Sequence, residues 1–130
     1  MERQEAIEKI KDWAIQLEAT DPGAKGFDEA IEPIILPVMN GRLDYDIETG
    51  SFTLKLIKPL IGEKTKVEVI TLHELTLAEQ KVIQRYKDAE GVDKAEALIA
   101  KAADIALGDA AKLGSRDLNA ASAVITVFFS

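Results

Sequence analysis

The spacing of apolar residues changes twice along this chain, and that change constrains its fold more than any other feature. Residues 2–19 have apolar side chains every three or four positions, as an amphipathic helix does (Ile7, Ile10, Trp13, Ala14, Leu17). From Leu43 the spacing falls to two, and after Thr76 helical spacing returns. The sequence therefore predicts an α+β fold that is mostly helical, with a small sheet between helical segments.

The middle of the chain, residues 43–72, predicts a small antiparallel sheet or hairpin. Apolar and acidic residues alternate from Leu43, and the alternation resumes at Phe52 after the turn signal Thr49-Gly50. The apolar positions are Leu43, Tyr45, Ile47, Phe52, Leu54 and Leu56. We expect Pro59 to interrupt the second strand and 67–72 to form a third, with one face of the sheet on the core.

Helices are expected on both sides of this sheet. In the N-terminal segment, 1–42, a second short helix follows Phe27 and is limited or kinked by Pro33 and Pro37. In the C-terminal part, 73–130, three or so helices form a bundle. We expect these segments to form one domain, 1–130.

Three sets of signals divide the C-terminal part. Thr76 and Glu79 have the spacing of a capping box, which predicts a helix to about Asp88. Residues 94–107 are rich in alanine and are expected to end at Gly108, with their small side chains serving internal packing or a partner helix. Residues 115–129 are interpreted as a helix, although their β-branched residues are also compatible with a strand.

Composition excludes several classes of function. The 130 residues have a net charge of -7, which opposes binding to nucleic acid. No cysteine is present, so disulfides and thiolate metal sites are excluded. The N-terminus lacks the features of a signal peptide, and the uncharged stretch at 118–130 is too short to span a bilayer. We therefore expect a soluble protein that is not exported and has no membrane partner.

The sequence contains no arrangement of residues that is typical of a catalytic site. His73 is the only histidine, and Leu77 occupies the position where a zinc-binding H-E-x-x-H motif needs its second histidine. No serine is framed as a nucleophile. Residues 23–26 lack the spacing of a phosphate-binding loop and are interpreted as a turn. The sequence predicts a protein that is not an enzyme and has no cofactor.

The acidic residues Asp44, Asp46 and Glu48 partly resemble the start of a calcium loop. Gly50 comes one position late, however, and Lys55 stands where the loop needs glutamate. We interpret these carboxylates as the solvated face of a strand, with weak cation binding as the alternative.

Apolar side chains suggest surfaces for partners. Trp13 can be a core residue, but tryptophan is also enriched in binding hot spots. The uncharged C-terminal segment can be buried in the domain itself or in an oligomer or partner. Our hypothesis is that two segments bind a partner or a second copy (Ile7, Ile10, Trp13 and Leu17 in the first helix; Val127, Phe128 and Phe129 at the end).

Residues 52–130 resemble the tail assembly chaperones of long-tailed bacteriophages. The resemblance rests on Phe-Thr-Leu-Lys-Leu-Ile-Lys-Pro at 52–59, Val-Glu-Val-Ile-Thr-Leu at 67–72 and Glu-Leu-Thr-Leu-Ala-Glu at 74–79. It continues through Gly-Ser-Arg-Asp-Leu-Asn-Ala-Ala-Ser-Ala-Val at 114–124 and closes on Phe128-Phe129. Residues 1–51 show no such resemblance.

The resemblance implies a non-enzymatic late viral protein in the cytoplasm of a bacterial host. Such a chaperone binds the phage tape measure protein, keeps it soluble, promotes tail tube polymerisation around it and is absent from the mature tail. Many members are also made by programmed frameshift in a longer form that contacts the major tail tube protein. The alternatives are a structural tail adaptor or terminator, and a small acidic inhibitor of a host protein.

Overall fold

The computed structural model describes residues 1–61, 66–84 and 91–129, which contain seven helices and three strands. In chain order, the elements are α1 (Arg3–Gln16), α2 (Phe27–Ala30), α3 (Glu32–Met39), β1 (Leu43–Asp46), β2 (Ser51–Ile61), β3 (Lys66–Leu72), α4 (Leu77–Gln84), α5 (Gly91–Ala103), α6 (Leu107–Ala110) and α7 (Ser115–Phe128). The predicted α+β fold is confirmed.

The N-terminal helices follow the predicted pattern. Helix α1 buries Ala6, Ile10, Trp13 and Ala14 along one side. The predicted second helix is present as two pieces, α2 and α3. Pro33 lies in the first turn of α3, where a helix has no need of an amide donor, whereas Pro37 lies inside it. Gly41, with φ +74°, then redirects the chain into the sheet.

The sheet is antiparallel and has the order β1-β2-β3 among the described strands. Gly50, with φ +68°, makes the predicted turn between β1 and β2. The strand β1 ends at Asp46, so the prediction that Ile47 continues the buried face is wrong. Ile47 lies in the turn and is 70% exposed.

The predicted interruption of the second strand at Pro59 is present as an irregularity in the pairing of β2 with β3. Lys55 pairs with Val69 and Leu60 with Val67, so four residues of β2 oppose Glu68 alone. Proline is tolerated at such a bulge because its missing amide proton is not needed for the ladder there. The strand therefore continues to Ile61 beyond the bulge.

The predicted capping box at the start of α4 is confirmed. The Glu79 amide donates to Thr76 Oγ1 at 3.2 Å, and the Thr76 amide donates to Glu79 Oε1 at 3.0 Å. This second bond lowers the pKa of the Glu79 carboxyl. The predicted end of the helix near Asp88 lies outside the described residues.

The boundaries predicted for the alanine-rich helix are wrong at both ends. Helix α5 begins at Gly91 and ends at Ala103, because Asp104 adopts φ +55° and turns the chain before Gly108. Ala97, Ala100 and Ala102 are buried, and α5 packs against α7 and β3. These small side chains therefore serve internal packing.

Helix α7 confirms the predicted C-terminal helix and lies at the centre of the packing. It contacts α2, α3, α5, β2 and β3. Its inward side chains join one cluster of buried residues with those of the N-terminal helices and the sheet. Thr20 Oγ1 also donates to the Val127 carbonyl at 3.0 Å, which connects the segment after α1 to the end of α7.

Candidate partner-binding groove

The apolar residues that the sequence predicts for partner binding lie mainly inside the fold. Ile10, Trp13, Val127, Phe128 and Phe129 are buried, and Ile7 and Leu17 are partly buried against the same core. Their contact with a partner stays a prediction. Such contact would require α1 or the end of α7 to leave the core, whereas other apolar side chains are accessible in the folded chain.

Five aromatic side chains form the centre of that core. Phe52 stacks on Phe128 with ring centroids 4.6 Å apart, and Trp13 meets Phe52 edge to face at 5.5 Å. Tyr45 and Phe129 complete the group at 4.7 and 5.7 Å from Phe52. We call this group the aromatic cluster. It attaches α1 and β1 to β2 and α7.

An open groove lies between α3, β2 and α7, and we call it the α3–α7 groove. Its volume is about 650 Å³. Leu36 and Ile57, two of the large apolar side chains that face solvent, line it and are 58% and 51% exposed. The remaining lining residues are Glu32, Pro33, Pro37, Asn40, Arg42, Arg116 and Asn119.

Helices α3 and α7 form two walls of the groove, each through residues at helical spacing. On α3, Pro33 and Leu36 are three residues apart and Asn40 follows its last turn, so these side chains share one face. The other face of α3 carries the buried Ile34, Ile35 and Val38. On α7, Arg116 and Asn119 have the same three-residue spacing.

A buried carboxylate fixes the position of Ile57 beneath these walls. Asp117 is 1% exposed, and its oxygens accept hydrogen bonds from the Ile57 amide at 3.0 and 3.2 Å and from the Lys58 amide at 3.2 Å. These two amides lie in the bulge, where β3 offers no regular partner. Asp117 therefore satisfies donors that would otherwise be buried without acceptors.

Arg42 connects this carboxylate to the first strand of the hairpin. Its Nη1 donates to Asp117 Oδ1 at 3.3 Å and to the Lys55 carbonyl at 2.9 Å. The Lys55 amide donates in return to the Arg42 carbonyl at 2.8 Å. A pair of opposite charges that also satisfies main-chain groups gives this junction a defined geometry.

Two of the three charged residues that line the groove form ion pairs within the described ranges, and the third does not. Glu32 is paired with Arg3 at 2.8 Å, a bond that raises the pKa of the Arg3 guanidinium, and Arg42 is paired with Asp117. Arg116 is exposed and has no ion pair among the described residues. The groove thus presents apolar side chains beside one arginine whose charge is unmatched.

The residues considered for chemistry lie apart from the groove. His73 Nδ1 donates to the Glu74 carbonyl at 2.9 Å, and no described serine bonds to it. The exposed Asp44 and Asp46 accept from nearby backbone amides (those of Tyr45 and Glu48), and Asp44 also lies 3.7 Å from Lys9 Nζ. Within the described ranges, no three His, Asp or Glu side chains are arranged to hold a metal ion.

Sequence reasoning missed the residues that form the groove. Asp117 carries only a weak signal, an acidic residue in the first turn of a predicted helix. Leu36 lies in an apolar run whose buried and exposed members look alike in sequence, and Ile57 is exposed because it lies in a bulge that alternation alone would not reveal.

Comparison with known proteins identifies one family. The family model for phage tail assembly chaperone proteins, E, or 41 or 14, matches residues 53–130, which is more than half of the chain. No curated protein and no solved structure matches. Among the described helices, none combines the length and the apolar character needed to cross a membrane.

Proposed function

Because the chain belongs to the phage tail assembly chaperone family, we propose that it binds the tape measure protein of its phage. In this proposal it keeps that protein soluble and promotes polymerisation of the tail tube around it. A tape measure protein is long and largely helical, and its apolar stripes would self-associate if they stayed uncovered. Several copies of a small acidic protein along one such chain would supply both cover and solubility.

The observation that carries the proposal is the α3–α7 groove of this family member. Single exposed apolar side chains are normal on any protein. Leu36 and Ile57 differ from the others because they line one concave surface together with an unmatched arginine. A concave apolar surface with a few polar groups is typical of a binding site. The groove offers an accessible contact that leaves the core intact.

We also propose that the protein acts without catalysis in the cytoplasm of the bacterial host. It is released before the tail matures. The proposal also includes a longer frameshifted form that contacts the major tail tube protein. Mass spectrometry of purified mature particles tests the release. We expect no peptide of this chain beside abundant tube protein, and a stoichiometric amount in the particles would instead indicate a structural tail component.

Co-expression tests the central claim. The tape measure protein of the same phage is expressed alone, with this chain, and with the double variant Leu36→Asp/Ile57→Asp. We expect the soluble fraction of the tape measure protein to rise several-fold with the natural chain and to return to its unassisted level with the variant. Burying a new carboxylate at an apolar contact removes the driving force for that contact.

The matched control is Ile47→Asp/Ile61→Asp. Ile47 and Ile61 are also exposed, at 70% and 72%, but neither lines the groove. We expect this variant to behave like the natural chain. If the natural chain leaves the soluble yield of the tape measure protein unchanged, the proposed function is overturned.

A further inference from the structure

We infer that the α3–α7 groove binds an amphipathic helix of the tape measure protein, with a carboxylate of that helix paired to Arg116 and its apolar side chains on Leu36 and Ile57. The inference rests on the proposed function and specifies the chemistry of the partner segment.

Charge identifies the polar half of the ligand. Each of the other charged residues that line the groove is already matched, Arg42 by Asp117 and Glu32 by Arg3. Arg116 is the charged lining residue that forms no ion pair within the part of the chain that the structure describes. A guanidinium donates two parallel hydrogen bonds to a carboxylate, so aspartate or glutamate is the complement that fits it.

The shape of the groove identifies the apolar half of the ligand. Helix α3 has eight residues and is therefore about 12 Å long, which corresponds to about two turns of a partner helix. Its outer face, the start of α7 and Ile57 line the groove together, so a bound helix would contact two helical surfaces. A helix seated on two such surfaces contacts them through residues spaced three or four apart. The expected ligand therefore carries apolar residues at that spacing and an acidic residue beside them.

The net charge of the chain makes this recognition selective. At -7, the protein repels acidic segments in general. An acidic segment is retained only where it also fills the apolar surface beside Arg116. Specificity then comes from repulsion elsewhere as well as from attraction in the groove.

Overlapping synthetic peptides that cover the tape measure protein of the same phage test the inference in the full chain. Fluorescence anisotropy would identify the peptide with the highest affinity and measure its Kd. We expect an amphipathic sequence with an acidic residue, a Kd that rises about tenfold with Arg116→Glu, and a smaller change with Arg116→Lys. Replacing the acidic residue of the peptide by lysine should restore binding to Arg116→Glu, which a merely structural role of Arg116 would not produce.

Lys25→Glu is the control variant because it changes the net charge equally at an exposed turn away from the groove. Equal losses of affinity in Arg116→Glu and Lys25→Glu would overturn the inference. The inference would also be overturned if the whole tape measure protein bound equally well to the natural chain, to Arg116→Glu and to Leu36→Asp. In that case the proposed function would stand. Absence of any binding by the natural chain would overturn both.

Discussion

The two ends of helix α7 show two different ways of joining elements in this protein. Near its C-terminal end, Phe128 enters the aromatic cluster, which is closed to solvent apart from the partly buried Tyr45. Near its N-terminal end, Asp117 holds the bulge of β2 while Leu36 and Ile57 remain exposed above it. The closed end gains its stability from apolar burial. At the open end, hydrogen bonds to a single carboxylate hold the elements together while the apolar side chains of Leu36 and Ile57 stay exposed.

The strongest test of this comparison is Phe52→Ala at the closed end. Phe52 is 0% exposed and contacts Trp13, Tyr45, Phe128 and Phe129. Loss of a buried phenylalanine ring lowers the free energy of unfolding by about 3–5 kcal/mol. Urea denaturation followed by the fluorescence of Trp13 measures the change. Ile47→Ala, at an exposed turn, is the control, and a loss below about 1 kcal/mol for Phe52→Ala would contradict a core centred on this ring.

Asp117→Ala tests the open end and should have the next largest effect. The substitution leaves the Ile57 and Lys58 amides without acceptors and Arg42 without its opposite charge. We expect the free energy of unfolding to fall by about 2–3 kcal/mol, as for a buried hydrogen-bonded charge. Asp117→Asn keeps one acceptor oxygen and should cost less. If Asp117→Ala left the free energy of unfolding unchanged, the carboxylate would not be what holds the bulge.

Leu36→Ser should have the smallest effect on stability. Leu36 is 58% exposed, so its loss removes little buried area from the folded chain. We expect the free energy of unfolding to change by less than about 0.5 kcal/mol. A thermal unfolding curve measures this, and binding of the tape measure protein should weaken in the same variant. A large loss of stability would mean that Leu36 belongs to the core, and the distinction between the two ends would fail.

The periodicity of the sequence was sufficient to predict most elements of this fold. Apolar side chains at helical spacing predicted α1, and alternation predicted the hairpin of β1 and β2. The capping box predicted the start of α4 because its two hydrogen bonds involve neighbouring residues only. Features that depend on local interactions can be recognised without knowledge of the fold.

The features that could not be predicted depend on contacts between distant parts of the chain. Pro59 was expected to interrupt the second strand, but the sequence could not show that the strand continues through a bulge whose amides donate to Asp117, far along the chain. Trp13 and Phe128 are conspicuous in sequence and are buried, whereas Leu36 and Ile57 are inconspicuous and exposed. Hydrophobicity shows that a residue prefers burial, but only the tertiary structure shows which residues remain uncovered.

The walls of the α3–α7 groove lie on opposite sides of the boundary of the family match. Helix α7 and Ile57 belong to the matched stretch, 53–130, whereas α3 precedes it. The exposed face of α3 can therefore change by substitution without altering the carboxylate that supports the floor. Under the proposed function, partner choice changes through one short helix while the matched half of the protein keeps its architecture. The same proposal implies that the protein adapts to a changing partner by single substitutions on α3, each of which leaves the fold intact.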